Sequence, residues 1–241
     1  MEPTREVLVF VPAWNEESSL PAVLDELARE LPDADLLVVD DGSTDQTAAI
    51  AKAGGAEVMS FGENRGLKAA IAAGWGSALE QGYALAGRVD ADGQHPVSEL
   101  RRLLEDVRSG RCDVAVGSRF VGGEGYEAYR YEQSPARRVG TALLRRAVAV
   151  RLGHRFNDAM SGMIAADAKA LPLLAEPYES GAPEVEALIR LYEAGLQVCE
   201  VPVNMRERGG GVSKLQGKKA VVLVVTVIGA LFAVRRWRNH R

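Results

Sequence analysis

The chain of 241 residues is long enough for one large domain that buries its core without metal or disulfide support. Its 47% hydrophobic and 26% charged residues exclude a largely disordered, collagen-like or coiled-coil protein. The net charge of −4 conceals a split, because residues 206–241 carry nine Lys and Arg against one Glu, which leaves −12 on residues 1–205. The negative body argues against a general nucleic-acid binder and favours a local anionic partner for the basic segment.

Short apolar runs and helix-period patterns alternate along the first half of the chain. Strands are predicted at 7–11, 36–39, near 58, 83–89 and 114–117, and helices at 20–31, 46–53, 67–81 and 97–108. Ser18 or Ser19 is the expected cap of the first helix, and Thr44 that of the second. This alternation predicts an α/β fold with βαβ units and a mostly parallel sheet covered on both faces.

The pattern changes in the second half. Residues 121–135 are rich in Gly and Tyr and too polar for a core element, which predicts a long functional loop. Helices at 136–152 and 183–194 and strands at 163–165 and 198–203 complete the predicted elements. No repeat or linker divides the chain, so we predict one domain over residues 1–215 and a basic and apolar C-terminal helix over 216–241.

Within that C-terminal segment, residues 220–234 contain no charged side chain. As a helix these fifteen positions would span roughly 22 Å, which is shorter than the ~30 Å hydrocarbon core of a bilayer. Being apolar on every side, the helix must bury against the domain, against a second copy of the chain in a homodimer, or in lipid. The flanking cations and Trp237 favour association with an anionic membrane surface.

The two cysteines, Cys112 and Cys199, are far apart in the sequence and form no metal-binding pair. We therefore expect two separate, buried thiols in a reducing compartment. The N-terminus lacks the charged and apolar regions of a signal peptide, so we expect the folded part to be cytoplasmic.

Polar side chains follow three of the predicted strands, as Asn15-Glu16, Asp40-Asp41 and Asp90-Ala91-Asp92. Parallel sheets bind ligands beyond the carboxyl ends of their strands, so these clusters are expected to share one site. Carboxylate oxygens suit Mg²⁺ or Mn²⁺ held together with a substrate diphosphate, and Gln94 or His95 could complete the coordination.

Taken singly, each cluster is also compatible with a helix cap or a turn, and Asp92-Gly93 alone favours a turn. Like charges gathered at one edge cost stability unless a cation or ligand lies among them, which favours the shared site. Motifs of dinucleotide-binding, P-loop, serine hydrolase and zinc protease sites are absent from the sequence.

In order and spacing, a set of short motifs resembles the family 2 glycosyltransferases of the GT-A fold. The motifs are VPAWNE (11–16), VVDDGSTDQT (38–47), NRG (64–66), DADGQHP (90–96) and GSR (117–119). Three later motifs resemble the dolichol-phosphate mannose synthase and polyprenyl-phosphate glucosyltransferase branch, namely DAMSGM (158–163), EVPV (200–203) and RGGGVSK (208–214). The resemblance implies a single Rossmann-like domain that binds a nucleotide sugar.

It also assigns the donor and metal sites. The base and ribose would be held by Pro12, Ala13, Trp14, Asn15, Glu16, Asp40 and Asp41. Asp90, Ala91 and Asp92 match the family's DxD motif on the donor side, and Asp90, Asp92 and Gln94 would hold Mg²⁺ or Mn²⁺.

On the acceptor side, the resemblance places Arg119 where the GSR arginine faces a phosphate. Asp92, Arg119 and Arg137 are the implied catalytic residues. Contacts to the acceptor phosphate would come from Arg119, Arg137, Thr141, Arg208, Ser213 and Lys214.

A phosphate acceptor also fits the residue types. Its second pKa is about 6, so it is already anionic at neutral pH and needs arginines rather than a general base. We therefore predict a metal-dependent inverting enzyme that moves a hexose from a GDP- or UDP-sugar to polyprenyl or dolichyl phosphate at the cytoplasmic membrane face. Transfer to a soluble or glycan hydroxyl, with Glu184 or Glu186 as base, and nucleotide-sugar binding without turnover are the alternatives.

Overall fold

The computed structural model describes residues 5–122, 126 and 146–206. The predictions made for Arg137, Thr141, Arg208, Ser213 and Lys214, and for the apolar segment 220–234, lie outside the described residues. Among the residues that are described, no helix is long and apolar enough to cross a membrane.

Strands and helices alternate as predicted. The strands are β1 (Arg5–Ala13), β2 (Asp35–Asp40), β3 (Glu57–Ser60), β4 (Tyr83–Arg88), β5 (Val114–Ser118), β6 (Ile164–Asp167) and β7 (Val198–Pro202). The helices are α1 (Leu20–Glu30), α2 (Thr47–Ala53), α3 (Leu67–Glu80), α4 (Val97–Arg108), α5, which includes residues 146–152, α6 (Leu171–Leu174) and α7 (Pro183–Glu193).

These strands form one sheet in the order β3-β2-β1-β4-β6-β5-β7. All neighbouring pairs are parallel except those of β6, which runs antiparallel to both β4 and β5. The mostly parallel α/β sheet is thereby confirmed. Because β6 is reversed, its first residue, Ile164, pairs with the last residue of β4, Arg88. The loop that precedes β6 therefore lies at the carboxyl end of β4.

Helices cover the sheet on both faces and enclose two apolar cores. On one face, α3 packs Trp75 edge-on against Phe10 of β1, with ring centroids 4.7 Å apart. Gly74 allows this approach, since a Cβ at that position would lie 2.2 Å from the Phe10 ring. The other face is covered by α1 and α4, whose apolar stripes include Leu20, Leu27 and Leu100.

The expectation of two separate thiols is wrong, because Cys112 and Cys199 are joined by a disulfide. Cys112 lies two positions before β5, and Cys199 lies in the parallel neighbour β7, so their Cα atoms are 6.0 Å apart. Two cysteines 87 positions apart in the sequence are thus neighbours in the folded sheet.

Neither predicted helix cap forms a capping hydrogen bond through its side chain. Ser19 does precede α1, although its Oγ donates to Glu16 Oε2 (2.7 Å) instead of capping the helix. Thr44 does not cap α2, which begins at Thr47. The backbone N–H of Thr44 instead donates to Asn15 Oδ1 (2.8 Å), in the loop that follows β1.

Candidate active site

The carboxyl ends of β1, β2 and β4 surround a cavity of about 380 Å³. It is lined by Pro12, Ala13, Trp14, Glu16, Asp41, Asn64, Gly66, Leu67, Ala70, Asp90, Ala91 and Asp92. Eight residues of the predicted donor and metal sites are therefore brought together here. Asn15, Asp40 and Gln94 are not part of this lining, as far as the described residues define it.

The loop after β1 is fixed by the loop after β2. Asn15 adopts a left-handed backbone conformation (φ 55°), which asparagine tolerates better than most residues. Its N–H donates to Ser43 Oγ (2.9 Å), and the N–H of Glu16 donates to Thr47 Oγ1 (2.9 Å). These bonds hold Trp14 and Glu16 at the mouth of the cavity, whereas Asn15 itself serves to join the two loops.

Asp40 and Asp41 organise the loops that follow β2. The Asp40 carboxylate is buried and accepts hydrogen bonds from the backbone N–H of Ser43 (3.0 Å) and from Ser60 Oγ (2.7 Å). The Asp41 carboxylate accepts the N–H groups of Arg65 (2.6 Å) and Gly66 (2.9 Å). Asp41 thereby fixes the beginning of α3 while it lines the cavity.

The Asp90–Asp92 pair follows β4. Asp92 Oδ1 accepts the N–H of Gln94 (3.1 Å), which closes a tight turn. The N–H of Asp90 donates to His95 Nδ1 (3.1 Å), so His95 acts as an acceptor at that nitrogen. Burial lowers the pKa of His95 and outweighs the opposing effect of the Asp90 and Asp92 charges, which favours the neutral ring.

This pair fits a divalent cation. Asp90 and Asp92 present hard carboxylate oxygens to one cavity, and Mg²⁺ commonly binds one or two protein carboxylates together with substrate phosphates. No group of three acidic, histidine or cysteine side chains with metal-binding geometry occurs within the described residues. The role of Gln94 as a third ligand stays a prediction.

A buried arginine behind the pair was not predicted. Arg88, the last residue of β4, is 2% exposed and donates to Asp90 Oδ1 (2.9 Å) and to Glu184 Oε1 (3.1 Å). Burial lowers the pKa of Arg88, but the charges of Asp90 and Glu184 more than offset this, so the guanidinium stays charged. The available signal was a charged residue that ends the otherwise apolar run YALAGR.

The two alternative base candidates are both engaged in arginine pairs. Glu184 binds Arg88, and Glu186 binds Arg190. Glu186 also accepts the N–H groups of Glu179 (3.2 Å) and Ser180 (2.8 Å). Burial alone would raise the pKa of Glu186, yet these bonds lower it. Neither glutamate is among the described residues that line the cavity.

Arg119 lies just after β5 and is held by Asp158. Its Nε and Nη2 each donate to one carboxylate oxygen of Asp158 at 2.7 Å, and its backbone N–H donates to the same carboxylate (3.1 Å). The N–H of Asp158 in turn donates to Glu200 Oε1 of β7 (2.8 Å). Asp158 is buried, whereas the Arg119 side chain is 36% exposed. Arg119 is not among the described residues that line the cavity.

The first cation of the basic C-terminal segment is also paired. Arg206 donates to both oxygens of Glu26 in α1, at 2.6 and 2.8 Å, and its N–H donates to the carbonyl oxygen of Gln94 (2.9 Å). Arg206 therefore lies directly beside the turn that carries Asp92.

A mostly parallel sheet with Asp90 and Asp92 facing a cavity at its carboxyl edge is the arrangement that the resemblance to GT-A transferases predicts, and α/β sheets bind their ligands at this edge. The family model described as Glycosyl transferase family 2 matches residues 8–169. The chain belongs to this family and is a glycosyltransferase.

Relatives extend the similarity over nearly the whole chain. The polyprenol monophosphomannose synthase of Mycolicibacterium smegmatis is 31% identical over 98% of this chain and 88% of its own length. The undecaprenyl-phosphate mannosyltransferase of Micrococcus luteus is 34% identical over 98% of this chain and 97% of its own. Glucosyl-3-phosphoglycerate synthase from Mycobacterium tuberculosis, solved with phosphoglyceric acid, shares the fold with a TM-score of 0.68 and 22% identity, covering 95% of this chain and 81% of its own.

Proposed function

We propose that this glycosyltransferase moves a hexose, mannose or glucose, from a GDP- or UDP-sugar to a polyprenyl or dolichyl phosphate. The observation that carries this proposal concerns the two candidate bases. Glu184 and Glu186 are each paired with a buried arginine, and neither is among the described residues that line the cavity. A hydroxyl acceptor needs a base, whereas a phosphate monoester is already anionic. Two polyprenyl-phosphate mannosyltransferases among the relatives support the same acceptor.

The chemistry assigned to the described residues is simple. The cavity residues orient the donor, and Arg119, fixed by Asp158, faces the acceptor phosphate. A phosphate oxygen attacks the anomeric carbon of the sugar, and the bond from that carbon to the diphosphate breaks on the opposite face, which inverts the configuration. Asp90 and Asp92 would hold Mg²⁺ or Mn²⁺, which supplies positive charge for the departing diphosphate. Crystals of the M. tuberculosis synthase with Mn²⁺ or Mg²⁺ and UDP support this choice of ion.

The location follows from the acceptor. A lipid phosphate is presented at a membrane surface, and residues 207–241 contribute most of the basic segment. We assign the protein to the cytoplasmic face as a peripheral enzyme, with the domain over residues 1–215 and the membrane contact over 216–241. Association of two copies through 220–234 remains the alternative for burying that apolar segment.

A panel of donors and acceptors tests the proposal. The purified full-length chain is incubated with GDP-mannose, GDP-glucose, UDP-glucose or UDP-N-acetylglucosamine, and with a short polyprenyl phosphate, the matching polyprenol or phosphoglycerate. We expect a glycosylated lipid phosphate, identified by mass, with one of the GDP- or UDP-hexoses and no product with polyprenol. A product with phosphoglycerate or polyprenol alone would contradict the acceptor. Donor binding without release of nucleoside diphosphate would favour a binding protein.

Arg137 gives a second test of the acceptor site. Arg137→Ala should raise the KM for polyprenyl phosphate by about tenfold to a hundredfold, because a charge-assisted contact to phosphate is lost. Donor affinity should change less than twofold. Arg138→Ala removes the same charge one position away and is the matched control, for which we expect little change in either quantity. Equal losses of donor and acceptor binding in Arg137→Ala would contradict the acceptor role.

A further inference from the structure

Arg88, Asp90 and Glu184 form one buried ion network, which we call the Arg88 bridge. Arg88 connects a carboxylate that lines the cavity, Asp90, to one that does not, Glu184. The Arg88 side chain is 2% exposed, that of Glu184 10% and that of Asp90 35%, so the network runs from the interior to the cavity wall. A buried guanidinium is tolerated only when it is paired in this way.

Gly162 makes room for the bridge. It lies two positions before β6, and the reversed direction of that strand brings it to the end of β4. A Cβ at position 162 would lie 2.7 Å from Asp90 Oδ2 and 3.1 Å from Arg88 Nη2. Real Cβ atoms essentially never lie as close as 2.7 Å to another heavy atom, so any side chain here would displace the Asp90 carboxylate, and it would also crowd the Arg88 guanidinium. The space behind Asp90 is therefore fitted to its paired orientation.

We propose that Arg88 is a positioning residue that fixes the Asp90 carboxylate for the complex of a divalent cation with a nucleoside diphosphate. The inference rests on the proposed function, because it assumes that Asp90 and Asp92 receive this complex. Two effects of Arg88 act in the same direction. The hydrogen bond to Oδ1 orders Asp90 before binding, so less freedom is lost when the ligand arrives. The complex is anionic overall, and the positive charge reduces its repulsion by Asp90.

A merely structural role for Arg88 would consist of neutralising the buried Glu184. The double variant Arg88→Met/Glu184→Gln separates the two roles, since it removes both charges of that pair and leaves the net charge unchanged. We expect it to fold with a thermal midpoint near that of the wild type. Its affinity for Mn²⁺, measured by titration calorimetry in the presence of UDP and of GDP, should be about tenfold weaker. Wild-type affinity in this folded variant would overturn the proposal.

A second buried arginine provides the matched control. Arg190 pairs with Glu186 and donates to the carbonyl oxygens of Leu173, Glu176 and Pro177. Arg190 is not among the described residues that line the cavity. Arg190→Met should lower the thermal midpoint but leave the Mn²⁺–nucleotide affinity of the folded protein within twofold of wild type. An equal loss of affinity in Arg190→Met would mean that general destabilisation explains the effect, which also overturns the proposal.

Gly162→Ala tests the same geometry without removing a charge. The added methyl group must push Asp90 or Arg88 aside, so we expect a loss of Mn²⁺–nucleotide affinity similar to that of the double variant. Wild-type affinity in Gly162→Ala would count against a fixed orientation of Asp90. If the wild type shows no Mn²⁺ binding in the presence of UDP or in the presence of GDP, the metal assignment of the proposed function fails together with this inference. If the wild type binds Mn²⁺ with a nucleotide, and the double variant and Gly162→Ala bind it equally well, only the inference about Arg88 fails.

Discussion

The two halves of the site satisfy the hydrogen-bonding needs of their carboxylates by different means. On the side of β1 and β2, Asp40 and Asp41 are bound by backbone N–H groups and hydroxyls. On the side of β4, β5 and β6, Asp90 and Asp158 are bound by the arginines Arg88 and Arg119. Bonds to backbone groups fix loops without adding charge, whereas arginine pairs place cations close to where phosphates are expected. The first half therefore shapes the cavity, and the second half sets its charge.

The largest effect is expected at Asp92. Asp92→Ala removes a carboxylate from the cavity and should reduce kcat by about a thousandfold, because stabilisation of the departing diphosphate is lost. The circular dichroism spectrum and thermal midpoint should stay close to wild type. Steady-state assays with and without excess EDTA check this, and a wild-type enzyme that keeps full activity in EDTA would refute the metal assignment.

A smaller loss is expected at Asp158. Asp158→Asn weakens the hold on Arg119, so kcat should fall by about a hundredfold while donor affinity changes little. The free energy of unfolding should fall by about 1–2 kcal/mol, less than for a fully buried pair because Arg119 is partly solvated. Kinetics at varied acceptor concentration, together with urea unfolding, measure both quantities. A parallel loss of donor binding would place Arg119 on the donor side instead.

Asp41 tests the half that shapes the cavity. Asp41→Asn weakens the bonds that fix the beginning of α3 and should raise the donor KM by about tenfold, with kcat nearly unchanged. Asp40→Asn is the matched comparison, because Asp40 is as buried as Asp41 but is not among the described residues that line the cavity. It should destabilise the protein to a similar degree and raise the donor KM less. A larger effect on KM at Asp40 would reverse the two assignments.

The smallest effect concerns Arg206 and is visible through pH. The hydrogen bonds from Arg206 lower the pKa of Glu26 in the folded protein. The pair therefore stabilises the fold fully above the unfolded-state pKa of Glu26, about 4.3, and this stabilisation is lost as the pH falls through the folded-state pKa. Because Arg206 is half exposed, its contribution should be under about 1 kcal/mol. The difference in unfolding free energy between wild type and Arg206→Met should shrink between pH 6 and pH 3.5 in urea titrations. A pH-independent difference would show that the pair contributes through packing.

Local sequence patterns predicted the β1 to β5 alternation and the clustering at strand ends well, because each apolar run and each polar turn is a local signal. Contacts between distant segments could not be predicted in this way. The disulfide between Cys112 and Cys199 depends on β5 and β7 being neighbours, and the reversed direction of β6 depends on tertiary packing. A short stretch of sequence determines neither the disulfide pairing nor the direction of β6.

The same limit applies to the site. Eight of its predicted residues line the cavity, since each lies at or just after the end of a strand within a recognisable motif. The Arg88 bridge was missed because its partner Glu184 lies 96 residues further along the chain. A hydroxyl near a helix start usually caps the helix, which is the basis of the prediction for Thr44, but α2 begins only at Thr47 and Thr44 belongs to the preceding loop, where its N–H donates to Asn15.

The position of β6 between β4 and β5 also governs when the site can assemble. During synthesis, β1 to β4 are complete long before residues 164–167 emerge from the ribosome. Until then β4 and β5 each keep an unpaired edge, and Asp90 has neither Gly162 behind it nor Glu184 to balance Arg88. The cavity walls can thus form early in biosynthesis, while the arrangement of charges that catalysis requires must await nearly the whole domain.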